Sequence, residues 1–429
     1  MPQKSPSRLI YCAIILMLLS GCGPRLPLTP TPAPVTIQFA YLQSTVDYQG
    51  LADQYHKLKP NVTVNLAPLA GQDFRGAQML EQTNADVFRW DASMMSANYL
   101  PNLLKLDNLL MLSQEFPKDD MIPGALEALQ AGGVQYGIPA GINPVVAYAS
   151  PKRFAAANAP LPSSVWSLDE MLALATQTNN QQGQISDANY SVGLCIGGDY
   201  SLDPLIFTFL FGGNIFDRLP DPTRIVLNRP ENVAAVKWYA GLTTQYGVTP
   251  KASTFAGNAV RADTNTLVEV NKCAMWLGYY ADLKEGTWGT DIENRPSMLP
   301  LPTGNVKVSV VYMDGYFISA KARNALACWD WINYLIGQPE AAGAMIPPRL
   351  SQVQAETFQK SAGTDAAAVA NSLPAKIVVF TQNLGDYQLL RQAFVSYTGV
   401  INAIIQGQVD AQTALDQAQK AIDQGGGGN

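Results

Sequence analysis

Histidine occurs once in this chain of 429 residues, at His56. Metal sites built from several histidines, and Ser-His or Cys-His catalysis in its familiar layouts, are therefore excluded. His56 itself falls on the polar side of a helical pattern and reads as a solvated residue. Charge is sparse too: Lys, Arg, Asp and Glu make up 14% of the chain, and the formal net charge is −6. No cluster of Lys and Arg marks a nucleic-acid footprint. Long apolar runs are also missing. Residues 9–19 form an apolar stretch of 11 residues, against the roughly 20 that a spanning helix needs. No P-loop, HExxH, nucleophile elbow or cysteine cluster is present.

What is present begins at the N-terminus. Lys4 and Arg8 precede the run 9–19, which matches the charged and apolar regions of a secretory signal. Leu19-Ser20-Gly21-Cys22 resembles the lipobox of bacterial lipoproteins. Small residues before the cysteine suit a signal peptidase, and the Cys22 thiol then carries a diacylglycerol. Each buried methylene contributes about 0.8 kcal/mol, so two or more acyl chains give durable anchoring. A plain signal peptide with an incidental cysteine is the alternative. Residues 22–34 hold prolines at 24, 27, 30, 32 and 34. This is an extended tether that cannot join a core. At the polyproline rise it reaches about 40 Å. Past the signal, Cys195, Cys273 and Cys328 all lie in apolar contexts and read as buried thiols, with a Cys195–Cys273 disulfide as the alternative.

The length favours two lobes. "VTIQFAYL" alternates as a strand does, with Val35, Ile37, Phe39 and Tyr41 on one face. Tyr48, Leu51, Ala52, Tyr55 and Leu58 then recur at helical spacing. "KPNVTVNLAPL" starts a second strand and "ADVFRW" is a third. Strands alternating with helices predict an α/β fold with a largely parallel sheet. Ligands of such sheets sit beyond the carboxyl ends of the strands. Ser167 and Glu170 in "SLDEMLALATQ" predict a capping box. "NRPENVAAVKWYAGLTTQYG" and "NALACWDWINYLIGQ" are further helices, which makes Trp238, Trp329 and Trp331 core residues. Two amphipathic helices close the chain before a disordered tail at 425–429.

The order of these motifs resembles that of family 1 of the extracellular solute-binding proteins of ABC transporters, the sugar-binding lipoproteins akin to maltose-binding protein. The resemblance runs from Val35 to about Asp423. It rests on "VTIQFAYL…YQGLADQYHKLKPNVTVNL", "ADVFRWDA", "LLKLDNLL", "GGVQYGIPAGINPVVAYASPKRFAAANAPLPSSVWSLDEML", "FLFGGNIFD", "VEVNKCAMWLGYYADL", "LPLPTGN" and "DGYFISAKARN". Asn271, Tyr279–Tyr280 and "AYAS" depart from the family's usual residues. The resemblance implies a two-lobed, periplasmic-binding-protein-like α/β fold of type II. Crossovers are expected near 139–145, 309–313 and 346–349. Lobe I is then 35–140 plus 314–345, and lobe II is 146–308 plus 350–424. It further implies a monomer without cofactor or metal, which captures a carbohydrate between the lobes and hands it to importer permease subunits.

A carbohydrate cleft needs aromatic faces for sugar rings and planar polar groups for hydroxyls. The strand-end loops supply Gln43 and Ser44, Gln72, Trp90 and Asp91, and Asp199 and Tyr200. Gly213 lies in a turn that lets backbone approach. Trp276, Tyr279 and Tyr280 come from "AMWLGYY", and by the resemblance Tyr280 replaces the family's stacking tryptophan. Asp314 and Tyr316 follow the second crossover, and Arg349 reaches across from the third. Asp91, Asp199 and Asp314 could equally cap helices. Two other functions fit the composition: an exported glycan hydrolase working through paired carboxylates, and a solute-sensing partner of a signalling receptor.

Overall fold

A computed structural model of the protein describes residues 32–42, 45–69, 83–196, 203–218, 222–250, 252–255, 258–261, 264–287, 295–373, 377–379 and 388–425. The signal segment, Cys22 and the tether up to residue 31 lie outside them. The first strands are β1 (Val35–Leu42), β2 (Val62–Leu69) and β3 (Val87–Asp91). A small hairpin, β4 (Gln130–Ala131) and β5 (Val134–Gln135), precedes the long β6 (Gly137–Ala149). Next come β7 (Val192–Cys195), the paired β8 (Ala252–Phe255) and β9 (Asn258–Arg261), and β10 (Cys273–Tyr279). β11 (Ser297–Leu299), β12 (Ser309–Ile318) and β13 (Ile377–Val379) complete the set.

The main sheet has the order β2-β1-β3-β12-β6-β10-β7, with β11 against β6 and β13 against β12. It is mixed, where the sequence pattern predicts a largely parallel one. β1 is parallel to β2 and β3, β7 to β10, and β12 to β13. β12 is antiparallel to β3 and β6, and β6 is antiparallel to β10 and β11. The reason lies in the route of the chain. β6 pairs with β12 from Gly137 to Pro144, then with β10 and β11 from Val145 to Ala149. It therefore carries the chain out of one half of the sheet and into the other. β12 brings the chain back beside it, so the two must run in opposite senses. A third segment joins them: Ile346 and Ile142 exchange two backbone hydrogen bonds of 2.9 Å, and Ile122 N–H donates to Pro348 O at 2.9 Å.

Three apolar clusters follow from this layout. Ile37, Phe39, Tyr48, Leu51, Tyr55, Val87, Trp329 and Trp331 pack on one side of the first half. Phe154, Trp166, Met171, Leu194, Phe207, Tyr397 and Leu415 fill the second half. The third cluster unites both halves across the seam, with Phe88, Trp90, Met94 and Tyr99 against Tyr148, Tyr190, Trp276, Tyr280 and Met298. Local signals place the flanking helices. The Ser167–Glu170 capping box is formed at the start of the helix Leu168–Thr178. The helix Tyr48–Leu58 buries Tyr48, Leu51, Ala52 and Tyr55. Leu58, however, is exposed, because it sits in the last turn, beyond the sheet it would cover.

The cysteines need a correction. Cys195 and Cys273 are joined in a disulfide, and among the described residues only Cys328 remains a free, buried thiol. An apolar setting suits a buried disulfide as well as a buried thiol. The fold decides between them, bringing the two Cα atoms to 5.9 Å, within bridging distance. Burial pushes the Cys328 thiol up to about 12, so it is inert. Among the described residues, no helix is long and apolar enough to cross a membrane.

Candidate functional site

The floor of the seam is built where the crossing strands meet the end of β3. Asp91 closes β3, and Asp314 lies directly opposite it on β12. Two facing carboxylates repel unless each is stabilised separately. Arg89 answers for Asp314, donating from Nε to Oδ2 at 2.8 Å. The same guanidinium donates to the Tyr48 hydroxyl at 2.9 Å and to the Ala341 carbonyl at 2.7 Å. Asp91 is held otherwise: its Oδ1 accepts from Ser93 N–H at 2.7 Å, and its Oδ2 lies 3.4 Å from the Tyr312 hydroxyl. Burial raises the Asp91 carboxyl above its usual range, hydrogen bonds from Ser93 lower it, and Asp314 raises it again. A half-desolvated acceptor of this kind gains from a donor such as a ligand hydroxyl.

The walls are aromatic. Trp90 comes from the first half of the sheet, Trp276 and Tyr280 from the second, and all three share the seam cluster. Tyr148 stacks on Trp276 with ring centroids 5.6 Å apart. Each of the three is at least 97% buried. Trp90 Nε1 and the Tyr280 hydroxyl nonetheless have no hydrogen-bond partner. A buried polar atom left so costs roughly 1–3 kcal/mol, which an incoming acceptor or donor would relieve. Tyr279 is half-buried, and its carbonyl accepts from the Tyr148 hydroxyl at 2.7 Å.

The family model described as "Bacterial extracellular solute-binding protein" matches residues 50–366. This chain belongs to that family. Solved structures agree on the fold. The sugar-binding protein MalE from Xanthomonas citri superposes with a TM-score of 0.72 at 16% identity, covering 91% of this chain and 96% of that one. The cyclic alpha-maltosyl-1,6-maltose binding protein from Arthrobacter globiformis gives 0.70 at 16% identity, with coverages of 91% and 98%. An ABC substrate-binding protein from Listeria monocytogenes, in complex with cycloalternan, gives 0.68 at 16% identity, with coverages of 92% and 100%. The comparison with curated proteins found no match. The solute-binding protein therefore has the two-lobed α/β fold of these neighbours.

Within that frame the predicted site residues separate. Trp90, Asp91, Trp276, Tyr280 and Asp314 converge on the seam and its floor, whereas the Tyr279 side chain packs against the cluster of the second half and meets the seam only through its carbonyl. Asp314 is engaged as the counter-ion of Arg89. Three other residues lie elsewhere. Tyr316 is fully buried in the first lobe's own core, beside Phe39 with centroids 6.3 Å apart. Strand alternation turns Phe317 to the seam cluster and Tyr316 away from it. Arg349 is paired with Asp120. Its Nε donates to Asp120 Oδ2 at 2.7 Å, and Ser351 completes that cluster. Gly213 makes room for Asn232, whose amide ties the Asn214 backbone to the carbonyls of Val226 and Leu227. Gln43, Ser44, Gln72, Asp199 and Tyr200 lie outside the described residues. A surface pocket of about 90 Å³ beside Pro144, Trp166 and Ser309 contains none of the predicted site residues.

Arg89, Asn143 and Tyr312 were not foreseen. A signal existed for the first two: each is a polar residue inside an apolar strand pattern, "VFRWD" and "AGINPVVAYA". A buried polar group in such a run needs a partner, and only the fold reveals which one.

Proposed function

We propose that this solute-binding protein is the substrate-binding component of an ABC importer and captures a sugar or oligosaccharide in the interlobe seam. The observation that carries the reading is the convergence of Trp90 from one lobe with Trp276 and Tyr280 from the other, above Asp91. Aromatic faces suit the C–H side of sugar rings, and a carboxylate orients hydroxyls. The lobes are assigned as 35–140 plus 314–345 and 146–308 plus 350–424. The partner change of β6 at Pro144/Val145 supports that division. A ligand that touches both lobes favours the closed arrangement, and permease subunits then receive it. The protein acts as a monomer, without catalysis or cofactor.

The test is a melting screen with maltose, maltotetraose, mannitol and tagatose. A sugar at 100 times its dissociation constant stabilises the folded state by about 2.7 kcal/mol, and the melting temperature rises accordingly. No shift with any of the four would overturn the carbohydrate reading.

Export and anchoring belong to the same proposal. The segment 1–21 directs secretion, Cys22 carries lipid, and the tether holds the binder near its importer on the outer face of the membrane. Expression of the full chain with Cys22→Ser is expected to move the protein from the membrane fraction to the medium or periplasm. Continued membrane association would remove the lipid anchor.

A further inference from the structure

The turn that presents Tyr279 and Tyr280 hangs from the crossing strand β6 by its backbone. Tyr280 N–H donates to the Pro144 carbonyl at 2.9 Å. Ala281 N–H donates to the Asn143 side-chain Oδ1 at 2.9 Å. The donor is a backbone N–H, so the amide orientation of Asn143 is settled: its oxygen faces Ala281. Asn143 is 8% exposed and sits one residue before the point where β6 leaves one sheet half for the other. Its partner across the ladder is Tyr312 on β12, and the Tyr312 hydroxyl reaches Asp91 at the end of β3. Asp91 thus meets Tyr312 on one crossing strand, and the residue opposite Tyr312 on the other, Asn143, holds the aromatic turn.

We infer that Asn143 is a positioning residue for the binding site: its carboxamide fixes the Tyr279–Tyr280 turn to the crossover, so that closure delivers Tyr280 to the seam. The inference rests on the carbohydrate-binding reading. Its physical basis is economy of ordering. A turn already fixed before binding loses less freedom when a sugar arrives, and that preorganisation appears directly as affinity. The Pro144 carbonyl holds Tyr280 N–H, the Tyr148 hydroxyl holds the Tyr279 carbonyl, and the Asp282 carboxylate accepts from Tyr279 N–H at 2.7 Å. Asn143 adds the side-chain acceptor for Ala281 N–H, the contact that joins the end of this turn to the crossing strand.

Two variants isolate the contact. Asn143→Leu removes the acceptor. Ala281→Pro removes the donor while keeping the backbone, since Ala281 already has φ −69°, close to the proline value of about −65°. Asn143→Asp, measured at pH 8, restores an oxygen acceptor. The first readout is ligand-free hydrogen exchange at Ala281 in wild type and in Asn143→Leu. Exchange at least 10-fold faster in the variant, with core amides such as Leu194 unchanged, is expected. The second readout is maltotetraose binding by calorimetry. Asn143→Leu and Ala281→Pro are each expected to weaken binding about 10-fold, and the double variant no further than either alone. Asn143→Asp should recover most of the loss.

Unchanged exchange at Ala281, fully additive losses, or wild-type affinity in Asn143→Leu would each overturn the inference. If wild type itself gives no heat with maltotetraose, the functional reading fails for that sugar. The exchange result then decides alone whether Asn143 positions the turn.

Discussion

Replacing Arg89 with methionine is expected to lower the unfolding free energy by about 3–5 kcal/mol. The size follows from what is left behind. The Arg89 side chain is 9% exposed and that of Asp314 16%, so loss of the cation strands a carboxylate with little water to solvate it. The carbonyls of Ala341 and Ala342 and the Tyr48 hydroxyl lose their donor in the same step. Most of the cost is that of the groups left unpaired rather than the net worth of the ion pair. The combined variant Arg89→Met with Asp314→Leu should therefore be markedly more stable than Arg89→Met alone. Urea unfolding followed by far-ultraviolet circular dichroism checks both statements. A cost below about 1 kcal/mol for the single variant would show that water reaches Asp314 and that the buried network is not what ties these strands. The consequence is also functional. Asp314 lies on the returning strand, and Ala341 and Ala342 lie just before the third crossing at Ile346. Arg89 thus ties the returning strand and the segment before Ile346 to β3, which in the proposed lobe arrangement would give the hinge a rigid base.

Removal of the disulfide with Cys195→Ala and Cys273→Ala together is expected to cost about 4 kcal/mol by the loop-closure relation. The bond closes a segment with a sequence separation of 78, and constraint of the unfolded chain grows with the length closed. Alanine is the suitable replacement because both positions are 1% exposed, where a serine hydroxyl would add a desolvation cost. Folding free energies of the double variant and of the oxidised wild type give the comparison. A difference below about 1 kcal/mol would mean that packing in the seam cluster, and not the covalent link, holds β7 to β10. The bond also fits the place of work, since disulfides persist in oxidising surroundings outside the cytoplasm.

Much of the fold was legible from local patterns. Alternation marked β1 and β3, helical spacing marked the helix Tyr48–Leu58, and the Ser167–Glu170 pair marked a helix start. Each of these depends on neighbours within a few residues, so the chain states it directly. The candidate site was legible in part. Trp90, Asp91, Trp276 and Tyr280 were recognisable as aromatic and acidic residues at strand ends, and the fold brings them to one seam. Tyr316 looked equally suitable, yet strand alternation sends it into the first lobe's core. Arg349 looked like a residue able to reach across, and its partner proves to be Asp120, more than two hundred positions away in the chain, which no local pattern names.

The sequence by itself determined the residue chemistry, the element types, the membership in a solute-binding family and the lack of any site built from several histidines. Only the tertiary structure decided the antiparallel return of β12 beside β6, the Cys195–Cys273 bond, the Arg89–Asp314 pair and the attachment of the Tyr279–Tyr280 turn to Asn143. The division has one physical cause. Periodicity and capping act over a few residues and are written in local order. Hydrogen bonds and ion pairs between buried groups are satisfied by whatever the fold brings within about 3 Å, however far apart those groups lie along the chain.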